Sequence, residues 1–414
     1  MATSYPHLVN SDSTGNSKVQ GASLQRSRVG KLYLPAKQTV SLNSQLQHGL
    51  TIFPSSGTPA WGSYFTIDIK TPNVLIHNIA LQFNLGAVTG TSPVGYFNPA
   101  WYFFTRIEIV QGGNVIKTIH GNQQFLKNQL FEWEKDRLSI NQSAGAYSNT
   151  TQRGALSSTS TTNTLYANLR TYFDEIGGVP VLNDSHSIQL RVYMDTLTNV
   201  YKLTSGTLTS VAINSVNAIL KTTKLDSATA RNQLSLMSQH PYHNIFHDNV
   251  YFSYSVPSGL STSTTILAGI TGKVAALYFT VRANTVTDQA FVFGQLASYA
   301  LQDNTGTNIV GGQVVPASFA ANLLNKDWCK SSYHSETSFG ITDNKANFYC
   351  WSFSADIVDS VSNGKCLNSR KFTGQEALVL NWSSALGAAV QVDCYALVES
   401  ILEMTPSSVK KIAM

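Results

Sequence analysis

The sequence predicts an all-β protein built as a sandwich or barrel, and three observations lead to that prediction. Short runs with strand character recur along the chain, separated by turns rich in Gly, Ser, Asn and Thr. Segments with helical periodicity are few. Charged residues make up 12% of the chain, about half of the usual ~25%. Neutral polar residues replace them, which is typical of β-rich proteins with an uncharged solvent face.

Composition limits the classes of protein that fit. The 414 residues leave room for two or three domains at about 150 residues each. A hydrophobic fraction of 43% and an aromatic fraction of 10% exclude global disorder. No apolar run is long enough for a transmembrane helix. The net charge of +5 is too small and too diffuse to indicate a nucleic-acid groove.

The first 29 residues are rich in Ser, Gly, Asn and Gln, and basic residues collect towards their end at Lys18, Arg26 and Arg28. We predict an arm that orders only against a partner, with a frayed terminus as the alternative. Residues 1–16 lack the apolar core of a signal peptide, so classical secretion is not expected.

From Lys31 onward the apolar residues follow a period of two, as in Phe65 to Ile69. Two strand-like runs flank Gly112-Gly113 and predict a β-hairpin. Further strand-like runs cover residues 187–193, 218–225, 274–281, 289–293, 348–353, 377–382 and 390–395. Both halves of the chain are rich in strands, and each half ends with a strand that is followed by a polar or helical segment. This parallel organisation indicates a weak internal duplication.

Two segments have helical periodicity. Residues 122–137 place four apolar side chains on one face: Phe125, Leu126, Leu130 and Trp133. Residues 227–238 begin at Ser227, a plausible N-cap, and Pro241 stops the helix. Because this second helix lies just past the middle of the chain, it predicts a connector between two β domains.

The chain contains no nucleophile elbow, phosphate loop, dinucleotide loop or HExxH motif. The acidic residues Glu132, Glu134 and Asp136 cluster, but beside Lys135 and Arg137 they are typical of a solvated helix face rather than a paired-carboxylate site. We therefore predict that the protein is not an enzyme, and we assign no catalytic residue.

His240, His243 and His247 lie close together and are followed by Asp248, so a metal site has to be weighed. Pro241 breaks any helix that would place them on one face, and no second cluster supplies ligands. Polar residues at the entry to a strand are the favoured interpretation, and ion binding is left open. No cofactor-binding or metal-binding residue is assigned.

The four cysteines, Cys329, Cys350, Cys366 and Cys394, lie in the last quarter of the chain without CxxC spacing. This spacing favours the interpretation that they are reduced, buried thiols over a disulfide framework or a zinc site.

Residues 104–121 resemble a segment of the double jelly-roll major capsid proteins, the lineage of adenoviruses, tailless double-stranded DNA phages and nucleocytoplasmic large DNA viruses. In those proteins a strand of the type E-x-x-I-G-G-x-x-I is followed by a glycine and a helix. The matching residues stand here in the same order: Glu108, Gly112, Gly113, Ile116, Gly121 and Phe125.

Later segments resemble the same family. Residues 348–353, 363–370 and 377–380 are similar to its "Y-S-F … P-x-G-x-x-N-F-S-R … L-x-L" pattern, although Leu367 and Lys371 depart from it and the proline is missing. The short chain points to a compact branch such as the polinton-like viruses or virophages.

The resemblance implies two tandem eight-stranded antiparallel jelly rolls with a few short helices. The expected boundaries are an arm at 1–29, a first jelly roll at 30–226, a connector helix at 227–240, a second jelly roll at 241–405 and a C-terminal tail at 406–414. The implied function is that of a structural major capsid protein of an icosahedral double-stranded DNA virus. Trimeric, pseudo-hexameric capsomers of this protein would tile the shell.

The implied partners are two further copies in a homotrimer, neighbouring capsomers, and penton and minor capsid proteins. The arm would face inward, towards an internal membrane or the genome. Residues 143–164 and 305–319 are candidate exposed or intersubunit loops. The expected location is the virion, assembled inside the infected host cell. The alternative is a virion spike or a receptor- or carbohydrate-binding β-sandwich protein.

Overall fold

The computed structural model describes residues 47–131, 134–146, 163–283, 296–309, 315–316, 348–353 and 369–413. Antiparallel sheets make up most of it, in agreement with the predicted fold class. The arm at 1–29, most of the two candidate loops and the strand-like run at 289–293 lie outside the described residues. None of the described helices is both long and apolar enough to cross a membrane.

The first half of the chain supplies two facing sheets. Its strands are β1 Gln47–Pro54, β2 Tyr64–Ile69, β3 Val74–Phe97, β4 Phe104–Gln111, β5 Asn114–His120, β6 Asn163–Leu169, β7 Val179–Val181, β8 Ile188–Met194 and β9 Tyr201–Lys224. Its helices are α1 Gly121–Phe131, α2 Glu134–Ser143, α3 Tyr172–Ile176 and α4 Leu197–Val200, with single 3-10 turns at Ala100–Phe103 and Asp184–His186.

Helix α5, Ser227–Gln239, separates the two halves. The second half contains β10 Tyr242–Val256, β11 Thr262–Ile266, β12 Thr271–Ala283, β13 Ser298–Gln302, β14 Val315–Pro316, β15 Phe348–Ser352, β16 Arg370–Thr373, β17 Ala377–Asn381, β18 Val390–Thr405 and β19 Ser408–Ala413.

The sheet topology repeats. In the first half the sheets run β1-β9-β3-β6 and β2-β8-β4-β5, and in the second half β10-β18-β12-β15 and β11-β17-β13-β14. Setting aside β7, β16 and the C-terminal β19, we can number the strands of each half one to eight along the described chain. Both halves then have the orders 1-8-3-6 and 2-7-4-5. The short β7 and β16 also correspond, because each pairs with the third strand of its half. The weak duplication indicated by the sequence is thus a complete topological repeat, and each half is a jelly roll.

Alternation along the strands builds the core of each barrel. In β2 the side chains of Phe65, Ile67 and Ile69 are buried, while their neighbours face outward. One apolar cluster fills the second barrel, from Val256 to Val398. The other fills the first barrel and extends into the second, where it includes Tyr278 and Tyr395.

The predicted hairpin at Gly112-Gly113 is confirmed. Gln111 pairs with Asn114, so the two glycines form a two-residue turn between β4 and β5. Both have positive φ angles, 57° and 83°, which is the backbone conformation that this turn requires and that glycine adopts without steric cost.

The prediction of a helix at 122–137 is matched by helical residues on both sides of positions 132–133, which lie outside the described part: α1 up to Phe131 and α2 from Glu134. Phe125 and Leu126 are buried as expected.

The predicted connector helix is present, but its N-cap is Asp226 rather than Ser227. The Asp226 Oδ1 atom accepts hydrogen bonds from the backbone N–H groups of Ala228 and Thr229, at 2.9 and 2.8 Å. An ionised carboxylate at this position satisfies two helix donors that have no partner within the helix, which fixes the first turn.

The expectation that 406–414 is a tail is corrected. Residues 408–413 form β19, which pairs with the end of β18 in a hairpin, Thr405 opposite Ser408. The Ser408 backbone N–H donates a hydrogen bond of 3.1 Å to the Thr405 hydroxyl oxygen across the turn. Val409 is fully buried. Lys410 and Lys411 therefore belong to a strand.

Candidate functional site: the junction between the two barrels

The two barrels meet across the outer face of the sheet β10-β18-β12-β15. Tyr278, Cys350, Tyr395 and Leu397 point outward from this sheet, yet they are completely buried and belong to the apolar cluster of the first barrel. The Tyr395 hydroxyl donates a hydrogen bond to the Asn122 side chain at the start of α1. The first barrel therefore covers this face.

Four ionisable side chains, Lys117, Lys127, Glu175 and His247, are buried together at this junction, and we call them the junction cluster. They come from β5, α1 and α3 of the first barrel and β10 of the second, and none is more than 3% exposed. Glu175 Oε1 lies 3.2 Å from Lys117 Nζ and 3.5 Å from Lys127 Nζ. Glu175 Oε2 lies 3.6 Å from His247 Nδ1.

The junction cluster also completes the edge of a sheet. Within the described residues, β10 pairs with β18 alone, so its other edge has no neighbouring strand. At that edge the His247 N–H donates to Glu175 Oε2 at 2.8 Å, and Lys117 Nζ donates to the His247 carbonyl at 2.7 Å. Side chains of the first barrel thus satisfy backbone groups of the second that would be costly to bury without a partner.

The electrostatic balance of the junction cluster depends on Glu175. Burial alone would raise the pKa of Glu175, but Lys117 and Lys127 outweigh burial and hold that pKa well below its ordinary value. Burial lowers the pKa of Lys127 to about 7, with Lys117 acting in the same direction and Glu175 opposing. Glu175 is therefore ionised near neutral pH, and Lys127 is the cation that titrates there.

A second contact joins the C-terminal hairpin to the first barrel. His186 Nε2 lies 2.7 Å from the Thr405 carbonyl oxygen, and its Nδ1 accepts from the Leu182 N–H at 3.5 Å. Because Nδ1 is the acceptor, the ring is neutral and Nε2 carries the proton. The Asn114 and Asn183 side chains donate to the carbonyls of Val409 and Pro406, at 2.7 and 2.8 Å. Burial lowers the pKa of His186, which favours the neutral ring.

The three candidate histidines do not converge. His240 is exposed at the end of α5, His243 Nε2 lies 2.8 Å from Glu403 Oε2, and His247 belongs to the junction cluster. Among the described residues, no three His, Cys, Asp or Glu side chains come together as a metal site would require.

Cys350 and Cys394 are buried and in the thiol form, as predicted. Burial raises the pKa of the Cys394 thiol well above its ordinary value, so the reactive thiolate is disfavoured. Cys329 and Cys366 lie outside the described residues, as do the side chains of the Glu132, Glu134 and Asp136 cluster.

On the corresponding sheet of the first barrel, β1-β9-β3-β6, the outward side chains among the described residues are partly or fully exposed. The side chain of Leu50 is 73% exposed and that of Ile52 is 59% exposed. They lie beside Ile219 and Lys221 of β9, their neighbours in the strand pairing. A groove of ≈ 490 Å³ lies at this face, and its lining includes Leu50, Ile219, Lys221 and Asp174 of α3.

Lys117, Lys127 and Glu175 were not predicted from the sequence as members of a site. Lys117 carried a weak signal, since it interrupts the apolar run from Val115 to Ile119 of β5. Nothing in the sequence paired it with Glu175, because the two residues lie far apart along the chain, with α1, α2 and β6 between them.

No protein-family model matches the chain, and no curated protein matches it. Solved structures do match. VP54 of the virus PBCV-1, fitted into a reconstruction of the virophage Sputnik, superposes with a TM-score of 0.66 at 14% identity, over 89% of this chain and 98% of that one. The Faustovirus major capsid protein gives 0.63 at 8% identity, over 96% and 98%. The mavirus major capsid protein gives 0.50 at 10% identity, over 91% and 93%.

These matched structures are capsid proteins, not enzymes. Their coverage extends over both barrels, and at these identities the similarity is one of fold. Three observations agree on the fold: the strand order of each half, the tandem repetition of that order and these superpositions. The chain therefore has the double jelly-roll fold of the viral major capsid proteins.

Proposed function

We propose that this protein is a structural major capsid protein of an icosahedral double-stranded DNA virus. The observation that carries the proposal is the tandem repeat of one jelly-roll topology, 1-8-3-6 and 2-7-4-5 in both halves of the described chain. It stands beside superpositions on major capsid proteins that cover most of both chains. The protein works through its interfaces in the virion and needs no catalytic group.

Two similar barrels in one chain fit a trimeric capsomer. Three chains supply six barrels of one topology, which pack as a pseudo-hexameric ring and tile a shell nearly hexagonally. The low charged fraction of 12% suits such tiling, because it limits repulsion between neighbouring copies.

The fixed relation between the barrels also supports this role. A capsomer keeps its shape only if the two barrels of each chain do not swing independently. The junction cluster and the C-terminal hairpin tie them together at separate places.

The proposed domains of the chain have the boundaries expected from the sequence: a first jelly roll at 30–226, a connector at 227–240 and a second jelly roll from 241. In the assembled particle the partners are neighbouring capsomers and penton and minor capsid proteins. The basic arm at 1–29 faces inward, towards a membrane or the genome.

The test is the solution mass of the purified protein by light scattering, with negative-stain images of the same fraction. A trimer of 45.0 kDa chains has a mass of about 135 kDa and should form a ring or an assembled shell. A chain that stays monomeric at every concentration, without ring-like particles, would overturn the proposal. Glycan binding by that monomer would favour the spike or receptor-binding alternative.

A further inference from the structure

The charges of the junction cluster do not balance when both of its lysines are protonated. Lys117, Lys127 and Glu175 are buried away from water, and the two Nζ atoms lie 3.2 and 3.5 Å from one carboxylate oxygen. Two ammonium groups and one carboxylate leave one positive charge without a partner, and His247 adds another if it is protonated. An unpaired charge is costly in a site without water, so the cluster is balanced when one lysine is neutral.

The contacts identify Lys127 as the lysine that gives up its proton. Lys117 Nζ donates to Glu175 at 3.2 Å and to the His247 carbonyl oxygen at 2.7 Å, two acceptors that favour an ammonium group. Lys127 Nζ lies farther from Glu175, at 3.5 Å, and within the described residues Glu175 is its one hydrogen-bond partner. Burial, with the repulsion of Lys117 acting in the same direction, lowers the pKa of Lys127 to about 7.

Two further charged groups lie near Lys127, and above about pH 6 they offset each other. No other residue of α1 is charged. Arg170, just before α3, adds to the repulsion on Lys127, while Asp174 of α3 carries the opposite charge beside Arg170. Burial raises the pKa of Asp174 to about 6, so it is ionised above that pH.

The remaining ionisable side chains on the elements packed around the cluster do not change this balance, within the described part of the chain. On β4, β5 and β10 they contact partners of their own: Arg106 with Glu108, His120 with Tyr251, His243 with Glu403 and Asp248 with Lys411. The others are tyrosines, whose phenols are uncharged at neutral pH: Tyr102, Tyr172 and Tyr278.

We propose that the junction cluster is a proton-operated lock between the two barrels. With Lys127 neutral, Lys117 and Glu175 form a balanced pair and the junction is closed. When Lys127 takes up a proton from water, the unpaired positive charge loosens the contact that Glu175 makes with the His247 N–H of the second barrel. The lock lies within one chain, so it goes beyond the proposed function and does not depend on it.

The stability of the protein should rise with pH above neutrality because of Lys127. Its pKa is lower in the folded chain than the ordinary value of 10.5. Between about pH 7 and 10.5 the unfolded chain therefore binds this proton and the folded chain does not. The contribution to stability is gained as the pH rises through this window and lost as the pH falls back towards 7. Below that pH both states hold the proton, and the contribution no longer changes.

Lys127→Met removes the titrating group and keeps most of the side chain. We expect the unfolding constant of the full chain, divided by that of Lys127→Met, to fall by about 50-fold from pH 7 to pH 9 in denaturant unfolding at one protein concentration. The matched control is Lys411→Met, which removes a partly exposed lysine. The same ratio for Lys411→Met should stay constant. Lys127→Gln repeats the test if Lys127→Met does not fold.

Hydrogen exchange of the His247 amide measures whether the junction itself loosens, because this N–H is bound to Glu175 Oε2 at 2.8 Å. Its protection factor is the intrinsic exchange rate divided by the measured rate. In the wild type it should fall by about tenfold or more between pH 8.5 and pH 6. In Lys127→Met it should stay nearly constant over the same range.

Three results would overturn the lock. If the wild type and Lys127→Met have parallel stability profiles between pH 7 and pH 9, Lys127 does not titrate in this window. If the profiles differ but the wild-type protection factor of His247 is the same at both pH values, Lys127 titrates without loosening the junction. If Lys411→Met loses the slope as Lys127→Met does, the effect is not specific to the cluster.

Discussion

At the scale of single residues, Glu175 is the side chain on which the junction depends. It stands between two lysine side chains that have no access to water, and it also accepts a hydrogen bond from the backbone N–H of His247. A buried ion pair adds little net stability when compared with well-packed apolar residues, but removing one partner leaves the other charged and unpaired. The two lysines depend on this one carboxylate.

Glu175→Gln should therefore destabilise the protein by about 3–5 kcal/mol, the usual cost of breaking a buried pair. The measurement is denaturant unfolding at pH 7. The matched control is Glu403→Gln, which removes a partly exposed partner of His243 and should cost less than about 1 kcal/mol. Adding Lys127→Met to Glu175→Gln should restore part of the loss. Equal effects of the two glutamate variants would contradict the role given to Glu175.

His186 provides a pH-dependent contact at the same scale. Its pKa in the folded protein lies below the ordinary value of 6.5 because the ring is buried. Below pH 6.5 the unfolded chain takes up this proton more readily than the folded chain. The contribution of the neutral ring to stability is therefore complete above pH 6.5 and is lost as the pH falls towards the lowered pKa.

His186→Gln should flatten the decline in thermal stability between pH 7 and pH 5, because the amide can still donate to the Thr405 carbonyl but does not titrate. Melting temperatures across this pH range measure the effect. His240→Gln, which changes an exposed ring, should retain the wild-type pH profile. A His186→Gln profile as steep as that of the wild type would show that other groups cause the acid sensitivity.

At the scale of elements, alternation and turn chemistry made much of the fold predictable. The hairpin at Gly112-Gly113 and the connector helix followed from local sequence, since both are set by neighbouring residues. The C-terminal strand β19 was missed because its pattern is short and charged, Ser-Val-Lys-Lys-Ile-Ala. Only Val409 is buried in it, and its partner is fixed by the hairpin turn rather than by alternation. The junction cluster was missed for a related reason, because its members meet only after the barrels pack.

Gly112 and Gly113 of the β4–β5 hairpin differ in their surroundings, so alanine at the two positions distinguishes backbone strain from crowding by neighbouring residues. Both have positive φ, so alanine is strained at either position. A Cβ atom at Gly112 would also lie 2.8 Å from the Ser185 carbonyl oxygen and 3.1 Å from the Val409 nitrogen, whereas at Gly113 it would meet nothing within 4 Å. The tip of this hairpin therefore lies directly against β19 of the second barrel.

Gly113→Ala should cost about 1 kcal/mol through its backbone alone. Gly112→Ala should cost about 1–3 kcal/mol more, because the added methyl group also crowds the Ser185 carbonyl of the first barrel and Val409 of β19. Chemical denaturation of the two variants side by side measures the difference. Equal losses would mean that Ser185 and β19 both yield without cost, which would contradict a tightly packed contact at the tip of this hairpin.

At the scale of the whole molecule, the two barrels repeat each other in strand topology but not in the packing of their cores. The two barrels have the same strand orders, yet their apolar interiors are not separate. The cluster of the first barrel includes Tyr242, Phe246, Tyr278 and Tyr395 of the second, while the other cluster stays within the second barrel. Because the second barrel supplies part of the core of the first, the first should not stay folded when the second unfolds. Unfolding of the first barrel would in turn expose the buried outer face of the second, with Tyr278 and Tyr395.

We therefore expect one cooperative unfolding transition rather than two. Calorimetry at a fixed protein concentration should give equal calorimetric and van't Hoff enthalpies for the dissociated chain, since a shared core couples the barrels. Glu175→Gln should lower the temperature of that single transition without splitting it. Two resolved transitions in the wild type, with only one moved by Glu175→Gln, would mean that the barrels fold independently. The junction would then be a contact between finished domains, and the fixed angle between the barrels that a capsomer needs would require neighbouring chains to hold it.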